Sequence, residues 1–99
     1  MDIRTWRKLS RILSSCSNSD EQVTLLQGLL TPKELDEIME RWELMIRLQK
    51  GMPQRAISDE LGISLGKIAR GSRLLQFGPP EFKQLLARIE QESQDEQTQ

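Results

Sequence analysis

Residues 54–70 read QRAISDELGISLGKIAR, and the spacing within this stretch decides the fold. Counted from Gln54, apolar side chains fall at the fourth, eighth, tenth and fifteenth positions, which are Ile57, Leu61, Ile63 and Ile68. Small Ser58 sits where two steeply crossing helices bring their backbones close. Gly62 stands where the turn between them needs a residue that accepts positive φ without steric cost. Ser64 follows as the residue whose hydroxyl caps the second helix. The pattern is that of a DNA-binding helix-turn-helix. A plain αα-corner that binds no DNA shares the packing logic, so the remainder of the chain has to separate the two.

Ninety-nine residues fit one domain, and the wealth of helix formers with few β-branched runs gives an all-α class. No apolar run approaches the roughly 20 residues of a membrane span, and no signal-peptide pattern is seen, so no membrane partner and a cytoplasmic location are expected. The lone Cys16 follows Trp6, Leu9 and Ile12 at helical spacing and reads as a small buried hydrophobe. Net charge is −1, but it is unevenly placed. Between Lys50 and Gln76 five basic residues (Lys50, Arg55, Lys67, Arg70 and Arg73) face only Asp59 and Glu60. Residues 1–13 are also net basic, whereas 20–43 and the stretch after Glu81 are acidic. A local basic face on a near-neutral protein is what phosphate contacts require.

Outward from the central stretch, the spacing predicts six helices. The first covers about 3–16, with Ile3, Trp6, Leu9, Ile12, Leu13 and Cys16 apolar. A Ser-rich break leads to a short second helix at about 20–29. Thr31-Pro32-Lys33-Glu34 is a helix start, with Thr31 as N-cap, Pro32 at the first helical position and Glu34 three residues past the cap. The third helix, to about Lys50, carries apolar residues around more than one face, from Leu35 and Ile38 to Ile46 and Leu48. That breadth implies burial on two sides, and a partner subunit is the simplest way to supply the second. The helix-turn-helix spans about 54–76. A sixth helix after Gly78-Pro79-Pro80 bears Phe82, Leu85, Leu86 and Ile89. A single domain over 1–92 with a mobile polar tail at 93–99 is expected.

The chain has no His and one Cys, which excludes zinc sites of the usual ligand types and Ser–His or Cys–His nucleophiles. The glycines at 62, 66 and 71 do not form a phosphate-binding loop. The carboxylates Glu34, Asp36, Glu37 and Glu40 share their helix with Lys33, Arg41 and Arg47, so solvated ion pairs explain them better than acid–base catalysis. No enzyme, no catalytic or metal residues and no cofactor are expected.

From Leu29 to Leu86 the chain resembles the tryptophan repressor family. The resemblance rests on LLTPKEL at 29–35, RWELMIRLQKG at 41–51, PQRAISDELGIS at 53–64 and IARGSRLLQFGPPEF at 68–82. Its most specific element is Arg70-Gly71-Ser72, which a generic helix-turn-helix does not need. It implies an intertwined six-helix homodimer with a helix-turn-helix in each subunit. It also implies a transcriptional repressor of a double-stranded DNA operator that requires L-tryptophan as a corepressor ligand. The indole would lie between Arg41 and Arg70, with Arg70 pairing with the ligand carboxylate and Gly71 letting the ring approach the backbone. The partner subunit's Thr31 would add a hydrogen bond, and carbonyls near Gly28 and Leu30 would take the ammonium. Taken singly, Arg41 fits a surface ion pair with Glu37 and Arg70 fits a phosphate contact. The chain departs from the family at Leu74, where a Ser hydroxyl faces the ligand ammonium, and at Gly28, where the family has leucine. The turn before Gln54 is one residue shorter. A relative answering to another ligand, or to none, and a dimeric interaction module that binds no DNA are the alternatives.

By position on the motif, Gln54 and Arg55 begin the first reader helix, where Arg55 suits a guanine edge. Ser64, Leu65, Gly66 and Lys67 open the second, with Leu65 serving either the core or the base contacts. Ser58, Arg73 and Gln76 are placed for backbone contacts. A ligand between the third and fifth helices would set the separation of the two reading heads.

Overall fold

The computed structural model describes residues 2–97 of the chain. They form six helices: α1 (Ile3–Ser14), α2 (Ser19–Leu29), α3 (Pro32–Gln49), α4 (Gln54–Leu61), α5 (Leu65–Phe77) and α6 (Pro80–Gln97). The described chain divides into two compact units, one running to Asp36 and the other from Glu37 onward, where the sequence suggested one domain. No helix of the described residues is long and apolar enough to cross a membrane.

Local chemistry sets the helix starts in the first unit. The Asp2 carboxylate accepts the Arg4 N–H at 3.0 Å, and the Arg4 side chain holds that carboxyl below its usual range. Asn18 accepts from Glu21 N–H at 2.9 Å. At α3 the expected capping box closes in both directions. Thr31 Oγ1 accepts the Glu34 N–H at 3.1 Å, and Glu34 Oε1 accepts the Thr31 N–H at 3.0 Å. These contacts hold Glu34 below the usual carboxylate range, the Thr31 backbone N–H contributing most. α1 ends two residues before Cys16, which is only half-buried, and Ile3, Trp6, Leu9 and Ile12 are exposed, Trp6 by 57%. The apolar stripe of α1 is therefore exposed among the described residues.

In the second unit α3 answers the question of its own breadth. Leu44, Met45 and Ile46 are consecutive and all buried. Leu44 joins Ile57, Ile63 and Ile68 of the α4–α5 segment, whereas Met45 and Ile46 join Leu75 and Leu86. The second side of this half of the helix is thus covered by the chain's own α4, α5 and α6. Only the earlier Leu35, Ile38 and Met39 remain exposed, so the expectation of a partner along the whole helix narrows to its N-terminal half. Arg47 fixes α3 to α4 through Glu60 at 2.8 Å and pairs with Glu43, four residues earlier on α3, at 2.6 Å.

The turn between α4 and α5 has the geometry that its residues dictate. Gly62 has φ +68°, and its N–H donates to the Ser58 carbonyl at 2.9 Å. Replacing Gly62 by Ala should therefore cost about 1–2 kcal/mol, the penalty of the left-handed region for a Cβ-bearing residue. Urea denaturation checks this, and an unchanged midpoint would contradict it.

α6 runs further than expected. Residues 93–97, expected as a mobile polar tail, continue the helix, and Thr98 and Gln99 lie outside the described residues. Contacts four residues apart support the extension: Arg88–Glu92 at 3.1 Å, Gln91–Asp95 at 3.1 Å and Gln94–Glu90 at 3.3 Å. Each such pair contributes about 0.2–0.5 kcal/mol, a term that an apolar-periodicity argument leaves out.

Candidate functional site

The packing of α5 separates two sides of that helix. Ile68, Gly71 and Leu75 are buried, so Leu65, Gly66, Arg70, Arg73 and Gln76 are turned outward. Ser64 caps the helix, its Oγ accepting the Lys67 N–H at 3.2 Å, which leaves the hydroxyl proton free to donate. Gln54 and Arg55 are exposed at the start of α4. Leu65 is 47% exposed, which decides between its two assignments against the core. Nothing but Ser64 Oγ, at 3.9 Å, would meet a Cβ on Gly66, so this first turn of α5 is open to close approach.

Two residues expected to face DNA are engaged inside the chain. Ser58 is half-buried and its hydroxyl donates to the Ile63 carbonyl at 2.7 Å, bracing the turn. Lys67 Nζ lies 3.0 Å from Glu40 Oε1 on α3. By contrast the side chains of Arg41, Arg55, Arg70 and Arg73 make no hydrogen bond or ion pair among the described residues. Free guanidinium groups at these positions are available to anions.

Behind this outward face α3 and α5 enclose a cleft of about 520 Å³. Arg41 and Glu37, one turn apart on α3, and Arg70 on α5 supply its charge. Leu44, Met45 and Leu74 supply its apolar wall, and Glu40 and Lys67 also line it. The volume falls within the range of small-molecule sites, and two unpartnered guanidinium groups beside an apolar wall fit a small carboxylate with an apolar body. The structure thus brings Arg41, Arg70 and Gly71 to one cleft. Gly28, Leu30 and Thr31 belong to the other unit.

Gly71 has a second reason to be glycine. A Cβ there would stand 2.8 Å from Leu44 Cδ2 and 3.6 Å from Leu48 Cδ1, so its bare Cα lets α5 close on α3. Gly71→Ala gains about 1 kcal/mol of helix propensity but overpacks buried Leu44 at a cost of about 1–3 kcal/mol. We expect net destabilisation of about 1 kcal/mol, turning to stabilisation in a Leu44→Ala background. A double-mutant cycle in urea measures this coupling, and strictly additive effects would contradict it.

Sequence reasoning missed Glu37, Glu40, Leu44 and Met45 as cleft residues, although their spacing on α3 places them on one helical face with Arg41. The Glu40–Lys67 pair joins residues 27 apart and has no local signature.

Residues 4–90 match the family model described as Trp repressor protein. A Trp operon repressor homolog of Mannheimia succiniciproducens is 32% identical over 95 residues, covering 95% of this chain and 94% of the relative. One of Pasteurella multocida is 32% identical over 82 residues, covering 82% and 80%. Another, of Vibrio atlanticus, is 30% identical over 87 residues, covering 87% and 89%. The match spans all of α2 to α5 and most of α1 and α6, including the α4–α5 pair and both helices of the cleft. This chain therefore belongs to the Trp repressor family.

Proposed function

We propose that the protein is a transcriptional repressor, not an enzyme, that binds operator DNA as a homodimer and is gated by an amino-acid ligand, L-tryptophan. The observation that carries this reading is the position of α5. Its outer side presents Arg73, Gln76 and the open turn at Leu65–Gly66, and its other side brings Arg70, Gly71 and Leu74 to the cleft that Arg41 also lines. One helix then serves both DNA and ligand. In this reading α4 and α5 are a helix-turn-helix. Gln54, Arg55, Leu65 and Gly66 meet base edges, while Ser64, Lys67, Arg73 and Gln76 meet the phosphate backbone. Ser58 acts from within by bracing the turn.

The dimer reading is supported by the uncovered apolar side chains of Ile3, Trp6, Leu9 and Ile12 on α1 and of Leu35, Ile38 and Met39 on α3. Helix-turn-helix dimers, the Trp repressor among them, place their recognition helices about 34–36 Å apart, one turn of DNA. A ligand wedged between α3 and α5 favours the state with that separation only if it binds this state more tightly. Arg70 takes the ligand carboxylate, Arg41 flanks the ring, and the partner subunit's Thr31, whose hydroxyl proton its capping role leaves free, adds a donor.

Leu74 in the cleft, where the family has a Ser hydroxyl, favours a second reading, in which the same regulator answers to a small molecule other than tryptophan. Calorimetry of the protein with L-tryptophan against the other amino acids tests the assignment. Selective heat with L-tryptophan supports it, and a response to a different amino acid replaces the ligand while keeping the regulator.

A further inference from the structure

Among the basic residues of α5, Lys67 differs from Arg70 and Arg73 in having an ion-pair partner among the described residues. Its Nζ is held 3.0 Å from the Glu40 carboxylate, with the two side chains 56% and 39% exposed. Both residues line the cleft that Arg41 and Arg70 also line. Two competitions therefore meet at one contact. The Glu40 carboxylate faces Lys67 and any hydrogen-bond donor of a ligand bound between the helices. The Lys67 ammonium, in the first turn of the DNA-facing helix, faces Glu40 and any phosphate that reaches it. A pair this exposed is weak enough to exchange.

We propose that Glu40 is a positioning residue that withholds Lys67 from DNA until the cleft is filled, and that a hydrogen-bond donor of the ligand taking over the Glu40 carboxylate releases Lys67 to a phosphate. This rests on the ligand-gated DNA-binding function above and adds to it an electrostatic route from cleft to DNA, alongside any change in the spacing of the reading heads. Linkage makes the route reciprocal, so DNA that captures Lys67 frees Glu40 for the ligand and raises ligand affinity by the same factor.

The test uses the full chain, a duplex selected from random DNA by the wild-type protein, and L-tryptophan as the probe, over a series of salt concentrations. Glu40→Gln should bind this duplex without L-tryptophan about fivefold more tightly per reading head than wild type. Its plot of log affinity against log salt should steepen by about 0.9 per head, one added phosphate contact. The gain in affinity produced by L-tryptophan should shrink correspondingly. In a Lys67→Met background Glu40→Gln should change neither quantity. Asp36→Asn, which removes an equal charge from an exposed α3 residue outside the cleft lining, should leave ligand-free affinity within about twofold. The proposal is overturned by any of three results: Glu40→Gln matching wild type, an effect that persists without Lys67, or an equal effect from Asp36→Asn. A wild-type chain that binds no duplex overturns the proposed function together with this inference, whereas duplex binding indifferent to Glu40 overturns this inference alone.

Discussion

Arg70→Ala should abolish the response to L-tryptophan while leaving a folded protein. The guanidinium is exposed, has no partner among the described residues and borders the cleft, so its loss uncovers no buried group. Stability should stay within about 0.5 kcal/mol of wild type. A charge-assisted contact to the ligand carboxylate is worth about 1.5–3 kcal/mol, so ligand affinity should fall by roughly one to two orders of magnitude. Arg70→Lys should recover only part of it, because a lysine keeps the charge and loses the planar fork. Calorimetry without DNA separates this role from a phosphate contact, which would leave ligand affinity unchanged. A variant that retains full ligand affinity would remove Arg70 from the ligand site.

The other large effect belongs to the core beneath the outward side of α5. Ile57 and Ile68 are both 0% exposed and pack with Ile63 and Leu44. Ile68→Ala leaves a cavity at the junction of α3, α4 and α5, and should destabilise by about 2–5 kcal/mol. Against total stabilities of about 5–15 kcal/mol that is a large share, and duplex binding should weaken with it. Leu65→Ala, three residues away on the exposed side, should stay within about 0.5 kcal/mol. Urea denaturation at matched protein concentration distinguishes the two, since a dimer's midpoint depends on concentration. Equal effects at the two positions would contradict the division of α5 into buried and outward sides.

What the sequence made legible was local. The reciprocal Thr31–Glu34 contacts, the Ser64 cap and the positive φ of Gly62 each follow from residues within a turn of one another. Arg41, Arg70 and Gly71, which line one cleft, were named by the family resemblance and not by periodicity. The rest depended on partners distant in the chain. Whether Leu65 is core or surface is set by which side of α5 meets α3, and Lys67 looked like a free cation because Glu40 lies 27 residues earlier. Gly71 read as room for a ligand ring, while its Cβ position is filled by Leu44. The breadth of apolar residues on α3 pointed to a second covering surface without saying which. At Leu44–Ile46 that surface is the chain's own α4 to α6. The extent of α6 was underestimated because side-chain pairs, not burial, carry its last turns.

The central claim is that a ligand in the α3–α5 cleft governs duplex binding by the α4–α5 pair. Its most direct test is the affinity of the full chain for its selected duplex with and without saturating L-tryptophan, at one fixed salt concentration. The account predicts at least about tenfold tighter binding with the ligand, a coupling of the usual allosteric size, and loss of that gain in Arg70→Ala. Duplex affinity that is the same with and without L-tryptophan would contradict it.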